Sequence, residues 1–305
     1  MKKILICICT YNRNESLLNC LNSIKNIVSK NKFKIKILIV DNSVDFNCKN
    51  IINKFKKNFD LPILLFNEKK RGVVNARNLC LKKIRKFKPN YASFIDDDCT
   101  LDKYWLINIL NILNKYNADI VTGPQKYVKK ISDKKKINYT KYFEKIYNKK
   151  LVKVKWAATN NVFFKFKILK NNNLKFDHNL NKFGMGEDQL FFLQLYKLGH
   201  KIYWSKKIIV YEKYHNHRGS IEWLKLRSFR LGILGHYIDK KIHGTFYGLL
   251  INYIKTLFYI NIVLMKILLL FIGKNNSRID SINYFFRVKG KFLGPILFNK
   301  INFLK

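Results

Sequence analysis

An α/β fold, with a mainly parallel sheet flanked by helices and a helical C-terminal region behind it, is what this sequence predicts. Three observations carry the prediction. Short apolar runs alternate with segments of helical spacing over the first ~120 residues, the order that builds a parallel sheet. Three of those runs end in polar clusters. After about residue 218 the pattern is helical to the end.

The first strand is Ile4-Leu5-Ile6-Cys7-Ile8-Cys9, a continuous apolar run of the kind buried on both faces. Residues 15–29 follow with Leu17, Leu18, Leu21, Ile24, Ile27 and Val28 at helical spacing. Ile35–Val40 is the second strand and ends at Asp41. A helix through Ile51, Ile52 and Phe55 leads to a third strand, Ile63–Phe66. A helix over 73–87 leads to a fourth, Tyr91–Ile95, ending at Asp96; a helix over 102–116 leads to a fifth, Ile120–Thr122. Residues 125–150, rich in Lys and Tyr, read as an excursion near the site, and 153–211 resume short strands with one helix, Glu187–Leu198. The organisation expected is an α/β domain over 1–215 and a helical region over 216–305.

Composition bounds the function more loosely. At 305 residues, 48% hydrophobic and 15% aromatic, the chain buries a sizeable core and is not disordered. A formal charge of +41 raises nucleic acid, an anionic membrane or anionic substrates as partners. Yet the lysines are spread evenly and travel with Asn and Ile, as A/T-rich codons dictate, and no nucleic-acid-binding motif accompanies them, so no nucleic acid is expected. The six cysteines form no Cys-x-x-Cys pair, which suits a reduced, cytosolic chain without structural zinc. The run Ile4–Thr10 is too short for a signal peptide and lacks a cleavage site.

Gly244–Gly273 is almost wholly apolar, interrupted by Lys255 and Lys266. Eleven residues at ~100° each place those lysines within about 20° on a helix, with Asn252 and Tyr259 on the same side. Such a stripe suits a helix lying in a membrane interface; a helix packed on the catalytic domain and a spanning helix are the alternatives.

The chemistry concentrates at the strand ends. Open α/β sheets bind ligands at the carboxyl edge, so Thr10–Arg13, Asp41–Ser43 and Asp96–Asp98 are expected to meet in one crevice. Three adjacent carboxylates repel one another; a hard divalent cation relieves that and steadies a diphosphate leaving group, while a solvated acidic turn is the alternative. Arg71-Gly72-Val73-Val74-Asn75-Ala76-Arg77-Asn78 opens a helix with arginines, a good anion site.

Together, Cys9-Thr10-Tyr11-Asn12-Arg13, Val40-Asp41-Asn42-Ser43, Arg71-Gly72 with Ala76-Arg77-Asn78, and Asp96-Asp97-Asp98 resemble the signature of family 2 glycosyltransferases with the GT-A fold, over about residues 1–215. The resemblance implies a nucleotide-diphosphate sugar donor and Mn²⁺ or Mg²⁺. Thr10, Tyr11 and Arg13 would line the nucleotide pocket, with Asp41 accepting from the base. Arg71, Asn75 and Arg77 would shape the donor pocket, Asp96 would hold ribose or a metal-bound water, Asp97 would belong to the same donor site, and Asp98 would ligate the metal. Gly184-Met185-Gly186-Glu187-Asp188-Gln189-Leu190-Phe191-Phe192 matches the family's Gly-Glu-Asp-x-x-Phe pattern. By that resemblance Asp188 is the general base of an inverting, hexosyltransferase-like transfer, and Glu187 binds the acceptor or orients the base. Trp156 and Asn160 stand where the family places its acceptor wall, with core packing an equal reading for Trp156. His215, with His217 close behind, is the candidate metal or phosphate contact. Absence of Gln-x-x-Arg-Trp favours addition of a single sugar. The function implied is transfer to a glycan or lipid-linked acceptor at the inner face of the cytoplasmic membrane, in surface polysaccharide assembly. A basic nucleic-acid-binding protein and an inactive membrane-associated scaffold are the competing readings.

Overall fold

The computed structural model describes residues 1–28, 30–128, 147–170, 172–213, 220–272 and 277–303. They form two compact units, one α/β and one helical. In the first, β1 (Lys3–Thr10), β2 (Lys34–Asp41), β3 (Ile63–Asn67) and β4 (Tyr91–Asp96) lie parallel, joined by α1 (Asn14–Lys25), α2 (Lys49–Phe55) and α3 (Val73–Phe87). Next come β5 (Cys99–Leu101), α4 (Trp105–Lys115), β6 (Ile120–Thr122), β7 (Gln125–Val128), β8 (Leu151–Val154) and β9 (Asn161–Lys165). The unit ends with α5 (Glu187–Lys197), β10 (Ile202–Ser205) and β11 (Val210–Lys213). The main sheet has the order β3-β2-β1-β4-β9-β6-β10-β8, and a small one has the order β5-β11-β7.

Alternation along the strands sorts the core into two layers. Ile4, Ile6 and Ile8 of β1 pack with Leu17, Leu21 and Ile24 of α1 and with Trp105 and Ile109 of α4. Leu5 and Cys7 face the other way, onto Val74, Leu81 and Ile84 of α3 and Phe191, Phe192 and Leu195 of α5. Both layers are needed to bury a strand on two faces, which is why the run at 4–9 contains no polar residue.

The sheet departs from the expected strand pattern in its second half. Strand β9 enters antiparallel between β4 and β6, and β8 pairs antiparallel with β10. Helix α4 begins at Trp105, not 102, because Cys99–Leu101 are drawn into β5 by β11. Asp102 then makes the turn, its carboxylate accepting from Tyr104 N at 2.9 Å. Part of the expected irregular excursion is ordered as β7, and residues 129–146 lie outside the described ones.

The helical unit comprises α6 (Ile221–His243), α7 (Thr245–Phe271) and α8 (Ser277–Leu297). Helices α6 and α8 meet through glycines: a Cβ on Gly232 would stand 2.4 Å from Arg287 O, and one on Gly290 2.1 Å from Phe229 O. Only residues without a side chain permit that approach. Helix α7, the one described helix long and apolar enough to cross a membrane, has a mean hydropathy of 2.0 in its most apolar window and only 11% of that window buried.

The polar stripe of α7 is turned differently from the sequence expectation. Asn252 is fully buried, donating to Lys291 O at 3.1 Å, and Thr256 is buried beside it. Lys255 pairs with Asp239 of α6, and Lys266 pairs with Asp280 of α8 at 3.0 Å. The stripe therefore makes its polar contacts within its own bundle, although the Lys255 side chain stays half exposed. Most of what α7 leaves exposed is apolar, including Phe246, Leu250, Leu257, Phe258, Leu264 and Phe271, with Asn261 among these residues.

Candidate active site at the carboxyl edge of the sheet

Strand register brings the polar clusters together. Thr10 lies opposite Asp41, Asp41 opposite Asn67, and Cys9 opposite Asp96, so the ends of β1 to β4 form one shelf. Thr10 Oγ1 donates to Asp97 Oδ2 at 2.7 Å. Arg13 Nη1 donates to Asp97 Oδ1 at 3.0 Å and to Asp98 Oδ2 at 2.7 Å. The side chain of Arg13 remains half exposed, whereas Asp97 is buried. Burial pushes the Asp97 carboxyl up to about 6 against the pull of Arg13 and the Thr10 hydroxyl. Within the triplet Asp97 is thus turned inward to hold Thr10 and Arg13, and the side chain of Asp96 is the most open of the three.

Asp41 is also turned inward. Its two oxygens accept from Ser43 N at 2.8 Å and Cys48 N at 2.9 Å, closing the β2–α2 turn. Asn42, quoted in the motif without a role, clamps the next loop: its amide donates to Glu68 O and Lys70 O, and its oxygen accepts from Gly72 N at 2.7 Å. Asn75 folds back onto Lys70 O and Arg71 O. The open wall is made by Tyr11 and Arg71, both exposed, with the guanidinium 5.6 Å from the ring centroid.

The second acidic motif arrives from α5. Gly184 and Gly186, both at positive φ, turn the chain so that Glu187 and Asp188 form the first turn of that helix, where carboxylates suit the dipole. Arg77 reaches across from α3, donating through Nη1 to Glu187 Oε1 and through Nη2 to Asp96 Oδ1 at 3.3 Å. Burial raises the Asp188 carboxyl, opposed by Arg77 and by the N–H groups of Gln189 and Thr159. Burial likewise pushes Glu187 up to about 7, with Arg77 opposing and Asp188 adding to the rise. Asp188, half-buried and raised in this way, is the kind of perturbed carboxylate that can act as a general base.

On the far side, Asn160 donates to Gln125 of β7. Its neighbour Asn161 is fully buried, accepting from Trp105 Nε1 at 2.9 Å and donating to Ile208 O at 2.8 Å. Trp156 is half-buried and packs against the second core layer. His215 and His217 lie outside the described residues.

Two residues, Asn181 and Glu212, and the role of a third, Asn42, were not anticipated from the sequence. Asn181 holds the Arg71–Gly72 loop, donating to Arg71 O at 3.2 Å and accepting from Val74 N at 3.3 Å. Asn42 does the same from β2. Glu212 is buried on β11, in register with Cys99 beside the triplet, and its charge helps to hold Arg13 protonated. For Glu212 a signal existed, since a carboxylate that follows the apolar run Ile208–Val210 is costly to bury unless it is paired; Asn42 was marked by its motif but not by its role, and for Asn181 there was no signal.

For a cation the donor set is all oxygen. Asp98 keeps an oxygen not used by Arg13, and Asp96 stands open beside it. Among the described residues no group of three or more His, Cys, Asp or Glu could hold a metal. One or two carboxylates fit Mg²⁺ or Mn²⁺ when the nucleotide supplies the remaining oxygens.

Comparison with known proteins follows the same lines. The family model described as glycosyl transferase family 2 matches residues 5–174. The chain is 24% identical over 238 residues to the succinoglycan biosynthesis protein ExoM of Rhizobium meliloti (strain 1021), covering 78% of this chain and 75% of that one. It resembles the mannosyltransferase PcManGT from Pyrobaculum calidifontis in complex with GDP-Man and Mn²⁺, with a TM-score of 0.61 at 14% identity over 96% of this chain and 87% of that one. It also resembles S. aureus TarS 1-349 in complex with UDP-GlcNAc, with a TM-score of 0.53 at 18% identity over 79% and 70%. This chain spans 44% of the longer TarS chain. At such identities the structural likeness speaks for the fold, which is GT-A.

Proposed function

We propose, for a chain that belongs to glycosyl transferase family 2, a metal-dependent, inverting transfer of one sugar from a nucleoside diphosphate to a glycan or lipid-linked acceptor during surface polysaccharide assembly. The observation that carries the reading is the meeting of two acidic motifs, Asp96–Asp98 and Glu187-Asp188, at the carboxyl edge of one sheet. Resemblance to ExoM, named for succinoglycan biosynthesis, supports the polysaccharide context, and neighbours solved with UDP-GlcNAc or with GDP-Man and Mn²⁺ support the donor and metal classes.

In this reading Tyr11, Arg13 and Arg71 are the exposed groups that receive the nucleotide. Thr10, Asp41 and Asn75 shape the pocket from beneath, and Asp97 fixes Thr10 and Arg13. Asp96 and Asp98 face the diphosphate, with Asp98, and His215 beyond the described residues, as the metal ligands. When bound, the cation offsets the charge that gathers on the departing diphosphate. Asp188 removes the proton of the acceptor hydroxyl as its oxygen attacks C1 of the sugar. The bond from C1 to the diphosphate oxygen breaks on the opposite face, and the configuration inverts. Trp156, Asn160 and Glu187 lie on the acceptor side.

In this reading the enzyme works at the inner face of the cytoplasmic membrane, beside its acceptor, and the helical unit is what attaches it there. Helix α7, about 40 Å long, offers the lipid a mostly apolar exposed face, while Asp239 and Asp280 take up the charges of its lysines. Basic residues on both sides of it, Lys240, Lys241, Lys274 and Arg278, suit an anionic leaflet. Nucleic acid has no part in the reading.

The test is a thermal-shift panel of UDP- and GDP-sugars, each with and without Mn²⁺. Ligand present at 100 times its Kd adds about 2.7 kcal/mol of stability, so the true donor stands out and only with metal. A flat panel would overturn the reading.

A further inference from the structure

Taking the transferase reading as its base, we infer that Arg77 is a positioning residue that ties the two acidic motifs together and does not contact the donor. One arm of its guanidinium holds Asp96 at the end of β4, and the other holds Glu187 at the start of α5. These partners are 19 and 110 residues away along the chain. No other described side chain is hydrogen-bonded to both motifs.

Accessibility separates Arg77 from the cations that can meet a diphosphate. Arg71 is exposed and the Arg13 side chain is 51% exposed, whereas Arg77 is 8% exposed with both terminal nitrogens committed to carboxylates. A donor phosphate could reach it only by displacing one of them. A guanidinium suits the present task because its planar fork reaches two partners at fixed geometry, which an ammonium does not.

The electrostatics fit the same role. Asp96, Glu187 and Asp188 lie within reach of one another's fields, and Arg77 is the cation set among them. Burial alone would lower the guanidinium, but Glu187, Asp96 and Asp188 carry it upward, so it stays charged. Glu187 Oε2 is buried without a hydrogen-bond partner among the described residues. Its other oxygen rests on Arg77, so the turn that carries Asp188 is anchored there. The groups that act on Asp188 are Arg77 from α3, Asp96 from β4 and the N–H groups of Gln189 and Thr159, and Glu187 of its own helix feels the Asp188 charge in turn.

The experiment uses full-length protein without acceptor. The Asp188 carboxyl is titrated by ¹³C NMR, assigned with Asp188→Asn, and UDP is titrated calorimetrically in Mn²⁺. In Arg77→Met the Asp188 midpoint should rise by about one pH unit, a tenfold shift in its protonation equilibrium, while UDP affinity stays within threefold of wild type. Arg77→Lys, which keeps the charge but reaches one partner, should bring the midpoint most of the way back. Should Arg77→Met fail to fold, Arg77→Lys decides: UDP affinity within threefold supports the assignment, and a tenfold loss makes Arg77 a donor ligand and overturns it. An unmoved midpoint in folded Arg77→Met also overturns it. Wild-type protein that does not bind UDP or GDP with Mn²⁺ would instead sink the transferase reading, and the Asp188 midpoint still judges the tie.

Discussion

Gly72→Ala should cost the α/β unit about 3–5 kcal/mol, a large share of the ~5–15 kcal/mol that holds a typical domain. Gly72 caps α3 with φ 127° and ψ 138°, a region that side chains avoid at a cost of about 1–3 kcal/mol. Its added Cβ would fall 2.1 Å from both Nδ2 and Oδ1 of Asn181, so that side chain must leave. Leaving gives up its bonds to Arg71 O and Val74 N, worth about 1 kcal/mol each. At ~2–4 °C per kcal/mol for a unit of this size, the melting temperature should fall on the order of 10 °C. Because the lost bonds hold the backbone of Arg71, UDP affinity in Mn²⁺ should weaken as well. The check is thermal unfolding of full-length protein in mild detergent for Gly72→Ala, Asn181→Ala and the double variant. Asn181→Ala alone should cost about 2 kcal/mol by the two lost bonds. The double variant should be less damaged than the sum, since Asn181→Ala vacates the space that the new methyl needs. A loss below about 0.5 kcal/mol, the usual effect of a harmless surface change, or strict additivity, would refute the account of this turn.

Three further outcomes are expected. Asp98→Asn should remove the Mn²⁺ dependence of UDP binding and abolish transfer with little change in melting temperature; transfer at the normal rate would remove the metal role. Asp188→Asn should lower turnover about 10²–10⁴-fold with UDP affinity unchanged, and NMR of the wild-type product should show an inverted anomeric centre, retention being fatal to the mechanism. Since burial raises the Asp188 carboxyl and the base must be ionised, turnover should rise with pH along an acid limb above the ordinary aspartate range, and a limb at pH 4 or below would contradict its role. Finally, Leu257→Lys with Leu264→Lys on the exposed face of α7 should move the protein from anionic vesicles to the supernatant without changing UDP affinity, and continued sedimentation would show that this face is not the attachment.

What the sequence by itself determined is the α/β architecture of the first ~120 residues and the identity of the crevice. Strands such as 4–9 were legible because burial on two faces forbids polar residues, and α3 and α5 were legible because one face must be apolar every three or four positions. That Thr10, Asp41 and Asp96–Asp98 meet at one edge was legible because each closes or follows an apolar strand of a parallel sheet, and Glu187-Asp188 was legible as the acidic opening of a helix. Tertiary structure decided the rest. Strands of three or four residues, such as β5 and β7, carry too few side chains to show a period, and only pairing with β11 makes them strands. Antiparallel entry of β9 leaves no mark on its own apolar pattern, since a strand buried on both faces reads the same in either direction. The stripe on α7 was seen, but not which way it faces: Lys255 and Lys266 pair with Asp239 and Asp280 of the neighbouring helices, 16 and 14 residues away along the chain, and no local pattern names those partners. Arg77 reads in the sequence as an anion-binding arginine at a helix start. Its neutralising partners arrive from 19 and 110 residues away, and a contact between elements so distant along the chain is set by the packing of the fold, which no local pattern records.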